Sequence, residues 1–363
     1  MMLLSLSFLA FASADLPDSE NTAQQEKSNL KNDVDLNNFL KITEENLSHL
    51  ELDEQVGIVF SVVSPTSSQS QSLGTHFSSS TPFEIGSVSK VFTALALAVQ
   101  TQSNDLSLET TVGELLPQTP MPENVAQITL KDLATHSSGL SRMPPNLGLF
   151  YILRHASDPY AEYSRADLHK ALKKTKLSTE STYEYSNYGF GLLGDLLSTQ
   201  SNMSYCELIE TKISMPLNLT NTQCSKISKH TAQPHLHTGQ ENPVWNFDSL
   251  AGAGALRSTA DDLSTFLQFA MNPDNSPQGL AMQLTLKEEH STLKTMGLGW
   301  HLHEQPNRCW YHNGMTGGSS SFIGFCPDAQ TGIVILMNQS DPKFRLTQSG
   351  LQSLEALESS GAQ

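Results

Sequence analysis

Positive charge is scarce in this 363-residue chain: 21 Lys and Arg stand against 37 Asp and Glu, for a net charge of −16. Nucleic acid and anionic membrane surfaces both demand clustered cations, so neither is expected as a partner. Long apolar runs are lacking too, and no stable membrane span is expected. The run at the start, residues 1–14 (MMLLSLSFLAFASA), is too short to cross a bilayer. It ends in Ala12-Ser13-Ala14, the small-x-small pattern of a secretory cleavage site, although no Lys or Arg precedes it. A buried N-terminal helix is the competing reading. Cysteine is limited to four residues, an even number, and export to the periplasm or medium would place them where pairing is favoured over free thiols. Zinc spacing is missing: His230, His235 and His237 fit no standard pattern, and no carboxylate or cysteine motif joins them. No metal or cofactor is expected. Internal repeats and domain linkers are absent as well.

What the chain does contain falls into order. Residues 15–34 are polar without an apolar period and read as a disordered lead-in. Leu36, Phe39, Leu40, Ile42 and Leu47 recur near helical spacing, and VGIVFSVV at 56–63 reads as a strand. The Ser-rich SPTSSQSQS is expected to turn the chain into a second strand toward Phe83. Helices follow over 88–100, 130–140 with Gly139 as its left-handed cap, 167–176, 188–200, YCELIETKI and 260–271. Thr259 ahead of Asp262 predicts a capping-box start for the last of these. From Gly297 the character changes to four strand-like runs, GLGWHLHE, RCWYHNG, SSFIGFC and GIVILMN, and a final helix over roughly 344–358. The pattern implies an α+β fold in which both ends of the chain build one antiparallel sheet, flanked by the terminal helices. The sheet domain would take residues 35–86 and 296–360, and an inserted all-helical domain 87–295, with a site at their junction.

Cys309 and Cys326 flank Thr316-Gly317-Gly318-Ser319. A two-residue Gly-Gly hairpin turn sets residues opposite each other when their numbers sum to 635, as these two cysteines do. Directly opposed residues lie within disulfide reach. Cys206 and Cys224 are left as the other pair.

Ser87 and Lys90 open the apolar run FEIGSVSKVFTALALAVQ, three residues apart and hence on one helical face. Serine needs a base to become a nucleophile, and a desolvated lysine can serve. Ser-x-x-Lys also occurs at Ser28/Lys31 and Ser291/Lys294, so the spacing alone does not choose. Tyr185-Ser186-Asn187 is the only Tyr-x-Asn. Its phenol can relay a proton, with a pKa that a nearby lysine would lower, and its carboxamide can pair with an amide of a substrate. His312-Asn313-Gly314 ends a predicted strand, whereas His237-Thr238-Gly239 sits in a polar loop.

The ordered motifs Ser-x-x-Lys, Tyr-x-Asn and His-x-Gly resemble the serine β-lactamase and penicillin-binding family, in the branch of class C β-lactamases, D-alanyl-D-alanine peptidases and related esterases. ITLKDLATHSSGL, MPLNLTNT, AGALRSTADDLSTFL and HNGMTGGSSSFIGF are similar to further segments of that branch, so the likeness runs from about Val56 to Pro342. The resemblance implies Ser87 as acylated nucleophile, Lys90 as its partner and Tyr185 as the base for deacylation. It implies Asn187 on the substrate amide, and the backbone N–H groups of Ser87 and Met315, next to Gly314, as the oxyanion hole. Asn338 would stand on the substrate side, and His136 as a structural residue beside the site. His312 departs from the lysine usual in β-lactamases and weakens carboxylate recognition, which shifts the expectation toward the peptidases and esterases. It would gain charge, and grip on a carboxylate, only as pH falls. The expected partner is therefore a small molecule or peptide: a D-amino-acid peptide of peptidoglycan type first, then an ester, then a β-lactam. A non-hydrolytic protein that binds penicillin or cell-wall peptide is the alternative.

Overall fold

Strands from both ends of the chain meet in one sheet. The computed structural model describes residues 35–74, 77–103, 106–148, 155, 157–178, 183–224, 231–291, 294–304, 306 and 308–356. The expected export segment, the polar lead-in and His230 lie outside them. Helix α1 (Leu36–Leu47) precedes strands β1 (Ile58–Val63), β2 (Ser68–Leu73) and β3 (Phe83–Glu84). Helices α2 (Ser89–Gln102) and α3 (Asn187–Ser201) come next, with shorter helical turns between them. Strand β4 (Arg257–Ser258) then leads into α4 (Ala260–Met271) and α5 (Pro277–Thr285). Last come β5 (Glu289–His290), β6 (Thr295–Met296), β7 (His301–His303), β8 (Cys309–Met315), β9 (Ser320–Cys326), β10 (Thr331–Met337) and helix α6 (Arg345–Ala356).

Eight strands form an antiparallel sheet in the order β2-β1-β10-β9-β8-β7-β6-β5. The two ends of the chain join at β1 and β10, from Ile58 opposite Met337 to Val63 opposite Gly332. Strands β1, β9 and β10 are buried at every position, which is why their sequences are continuous apolar runs rather than alternating ones. Helix α6 covers one face, with Leu354 against Gly324, and α4 covers the other, with Leu267 against Gly332. Helix α2 is apolar on all sides and packs inside the helical layer against α3 and α5.

The structure corrects four expectations. SQSQSL, read as part of a turn, is itself strand β2, and its alternating exposure marks an edge. Phe83 and Glu84 leave that sheet and pair with Ser258 and Arg257 instead. The helix expected over 130–140 ends at Ala134, because the left-handed residue that closes it is His136 (φ 56°) and not Gly139. Thr259 caps α4 at the Asp262 N–H, but the Asp262 carboxylate turns away to accept from Asn221 N and Thr222 Oγ1, so the reciprocal half of the box is missing.

The 635 register is present, with Trp310 opposite Phe325 and Met315 opposite Ser320. Cys309 and Cys326 are bonded across it at a Cα separation of 4.1 Å, and Cys206 bonds Cys224 at 5.6 Å. Removing the first bridge by Cys309→Ala/Cys326→Ala should cost ~3 kcal/mol by the loop-closure argument, read from urea unfolding. A loss below a few tenths would mean the strand pairing alone restrains the unfolded chain.

Candidate active site

The site begins with a glycine. Gly86 has φ 48°, and a Cβ there would meet the Met315 backbone nitrogen at 2.7 Å, so only glycine lets the turn Gly86–Val88 press against the end of β8. This contact sets the main chains of Ser87 and Met315 side by side. Glu84 secures both partners. Its buried carboxylate accepts from Trp245 N at 2.6 Å, Thr316 Oγ1 at 2.7 Å and Ser319 Oγ at 3.4 Å. Burial nevertheless raises its pKa, against these bonds and the nearby Arg257.

Lys90 is fully buried one turn beyond Ser87. Its Nζ stands 3.0 Å from Ser87 Oγ, 2.8 Å from Asn187 Oδ1 and 2.7 Å from Ala253 O. Burial, and then repulsion from Arg142, hold its pKa well below the usual lysine value. A neutral amine has two hydrogens and one lone pair. The amide and backbone carbonyls can only accept, so they take the two hydrogens, and the lone pair is left for the Ser87 hydroxyl. The geometry suits proton removal from Ser87.

The middle residue of Tyr185-Ser186-Asn187 explains the motif. Ser186 Oγ caps α3 by accepting from Gly189 N at 2.8 Å and donates to Ser141 O at 2.8 Å. That lock places Asn187 at the helix start and Tyr185 just before it. Tyr185 is hydrogen-bonded to Ser87, and Lys90 Nζ lies 5.0 Å from its ring centroid. The expected lowering of its pKa is not found. Burial raises it, and the Ser87 bond and Arg142 offset this only in part, so Tyr185 stays a protonated phenol hydrogen-bonded to Ser87.

His312 sits at an inward position of β8 and is 1% exposed. Its Nδ1 donates to Asn313 O at 2.7 Å, which leaves Nε2 as a bare, buried acceptor. Burial first, and then Lys90, push its pKa down to about 3. It therefore stays neutral in the pH range where it was expected to gain charge. The rings of His301 and His312 stack at 4.8 Å. Lys294 donates to His301 Nδ1 at 3.1 Å and lies 5.1 Å over the Tyr183 ring. His136, as expected, is structural: its Nδ1 accepts from Ser186 N at 3.0 Å.

The structure thus brings together Ser87, Lys90, Tyr185, Asn187, His312, Gly314 and Met315. Asn338 does not join them. It is fully buried, and its amide accepts from Gly57 N and donates to Gln55 O and Gln233 O, so it ties loops behind the sheet. His235 belongs to the same knot, at 3.2 Å from Asn338 Nδ2. Among the described residues no cluster of His, Cys, Asp or Glu could hold a metal. The sequence reading missed Arg142, Tyr160, Ala253, Lys294 and His301. Ala253 contributes a backbone oxygen, for which no side-chain signal exists. Tyr160, hydrogen-bonded to Asn187, forms an aromatic wall with Phe247, stacked at 4.7 Å, and Trp245, edge-on at 5.2 Å.

A sequence profile of the family described as Beta-lactamase matches residues 59–357, and the chain belongs to that family. Among solved structures it is similar to a class C beta lactamase from Rhodobacter sphaeroides, with a TM-score of 0.73 and 21% identity over 86% of this chain and 99% of the other. Among characterised sequences it is similar to Protein flp of Staphylococcus aureus strain N315, 28% identical over 72% of this chain. It is also similar to Penicillin-binding protein 4* of Bacillus subtilis strain 168, 25% identical over 72% of this chain. The chain spans about half of the length of the first relative, 53%, and 62% of the second. The class is that of β-lactamase and penicillin-binding serine hydrolases. Among the described residues no helix is long and apolar enough to cross a membrane.

Proposed function

We propose that the protein hydrolyses a small carboxylic ester through an acyl-enzyme on Ser87, outside the cytosol in the periplasm or medium. Lys90 Nζ takes the Ser87 hydroxyl proton as Oγ bonds to the substrate carbonyl carbon. The oxygen of that carbonyl becomes anionic between the N–H groups of Ser87 and Met315. As the bond to the leaving alcohol breaks, Tyr185 gives its proton to the departing oxygen and recovers one from Lys90. Water then adds to the acyl carbon, losing its proton to the restored Tyr185 and Lys90 pair. Ser87 leaves with a proton, and a carboxylic acid is released. The two disulfides support the oxidising compartment.

One observation carries the choice of ester: His312 is neutral, buried, and presents a lone pair. A cell-wall peptide or a β-lactam carries a carboxylate that a cation at this position of β8 would bind, whereas a lone pair repels it. A D-amino-acid peptidase is the second reading, favoured by the intact Ser87, Lys90 and Asn187 contacts. The test is the ratio of kcat/KM for an acyl-D-alanyl-D-alanine thioester analogue to that for a neutral ester, followed from pH 5.5 to 8.5. Shared chemistry cancels in this ratio. With His312 protonated only near pH 3, the ratio is expected to stay flat across this range. A ratio that climbs as pH falls through 6.5 would show a titrating His312 and return the peptidase to first place. Failure to turn over any ester, with stable penicillin labelling of Ser87, would favour the non-hydrolytic binding protein.

A further inference from the structure

Arg142 is the exception among the described arginines. Arg165, Arg308 and Arg345 pair with Asp195, Glu288 and Asp341, and Arg257 donates to the backbone oxygens of Cys224 and Trp245. The Arg142 guanidinium has no hydrogen bond or ion pair among the described residues. Its main chain is held firmly: the Arg142 carbonyl accepts from Asn187 N at 2.9 Å and Tyr188 N at 3.2 Å, which fixes it to the start of α3. The head group lies 5.1 Å from the Tyr185 ring centroid, and Lys90 Nζ lies 5.0 Å from the same centroid. The guanidinium is thus the one cation over the Tyr185 phenol, since Lys90 is held neutral, and no carboxylate among the described residues pairs with it. Arg142 is exposed beside the site, and in a chain with 37 acidic residues and 21 basic ones its guanidinium, without an acidic partner among the described residues, is open to an anion from solution.

We infer that Arg142 reads a carboxylate on the substrate, so that the charge recognition missing from β8 comes from the opposite wall of the site, beside Asn187. This rests on the acyl-enzyme reading and narrows it to esters that carry a negative charge. A guanidinium meets a carboxylate with two parallel N–H donors, a geometry that lysine cannot copy in full. The carboxylate can belong to the acyl or to the alcohol part of the ester, and the assay separates the two.

Three esters serve: phenyl valerate, monophenyl glutarate with its carboxylate on the acyl part, and 3-carboxyphenyl valerate with its carboxylate on the alcohol part. The quantity read is kcat/KM of each anionic ester over that of the neutral one, in which any effect of Arg142 on Lys90 or Tyr185 cancels. In the unmodified protein one of the two ratios is expected to exceed unity by ~10-fold. Arg142→Gln should bring it back by about the same factor, and Arg142→Lys should retain part of it. Added salt should lower it in the unmodified protein alone. If neither ratio changes on Arg142→Gln while phenyl valerate still acylates Ser87, the role of Arg142 is wrong and the acyl-enzyme reading stands. If no ester acylates Ser87, both fall together.

Discussion

Ser87→Ala is expected to lower ester turnover by at least ~10⁴-fold while leaving the fold intact. The loss follows from the covalent step, since among the described residues the hydrogen-bond partners of Lys90 Nζ are Ser87 Oγ, Asn187 Oδ1 and Ala253 O, and Ser87 supplies the one hydroxyl. Stability should change by less than about 1 kcal/mol, because Lys90 keeps both carbonyl partners and Ser87 is only half-buried in its turn. Mass spectrometry after an activated phosphonate should find the adduct on Ser87 and none in the variant. An adduct on Ser89 or Ser291 would overturn the assignment. Ser89 makes a useful control: it is fully buried, and its Oγ already accepts from Leu256 N at 3.0 Å. Ser291 is half-buried and donates to Lys294 O at 2.8 Å, a turn contact that accounts for the second Ser-x-x-Lys without chemistry.

Much of this was legible because period and register are local properties. The apolar runs of β1, β9 and β10 announced strands buried on both faces, and the Gly-Gly turn fixed the pairing that bonds Cys309 to Cys326. The site motifs were legible for a related reason: each of them starts or ends an element. Ser87 precedes α2, Asn187 starts α3, and the His312–Gly314 motif runs from the middle of β8 to one residue short of its end. What escaped the sequence depends on through-space surroundings. The direction of the Tyr185 shift is set by how much of its environment is dry, and no spacing reports that. His312 was read as a group that titrates because a histidine in water does so. The β-sheet interior around it, with His301 stacked on one side and Lys90 nearby, reverses the conclusion. Asn338 was misplaced by analogy of position, when its actual partners, Gly57, Gln55 and Gln233, lie 281, 283 and 105 residues away in the chain.

Lys90→Met should remove turnover by ~10³-fold and at the same time change how stability depends on pH. The first effect follows from losing the lone pair that receives the Ser87 proton. The second follows from linkage. Lys90 in the folded chain is held well below the usual lysine value by burial and by Arg142, whereas in the unfolded chain it titrates near ~10.4. Between those two values the unfolded chain binds one more proton than the folded one, so stability rises with pH by about 1.4 kcal/mol per unit and falls as pH is lowered toward the folded pKa. Methionine fills a similar volume and cannot titrate, so the variant should lack this slope. Urea unfolding of both proteins at several pH values from 7 to 10 provides the measurement, with the difference between the two curves as the readout. The curves should converge near pH 10, where keeping the lysine neutral costs little. They should part toward pH 7, with Lys90→Met gaining on the unmodified protein despite leaving Asn187 Oδ1 and Ala253 O without a donor. Parallel curves would mean that Lys90 is protonated in the folded protein. Its lone pair would then be unavailable, and the proton of Ser87 would have to go to Tyr185, a phenol whose own pKa burial has raised.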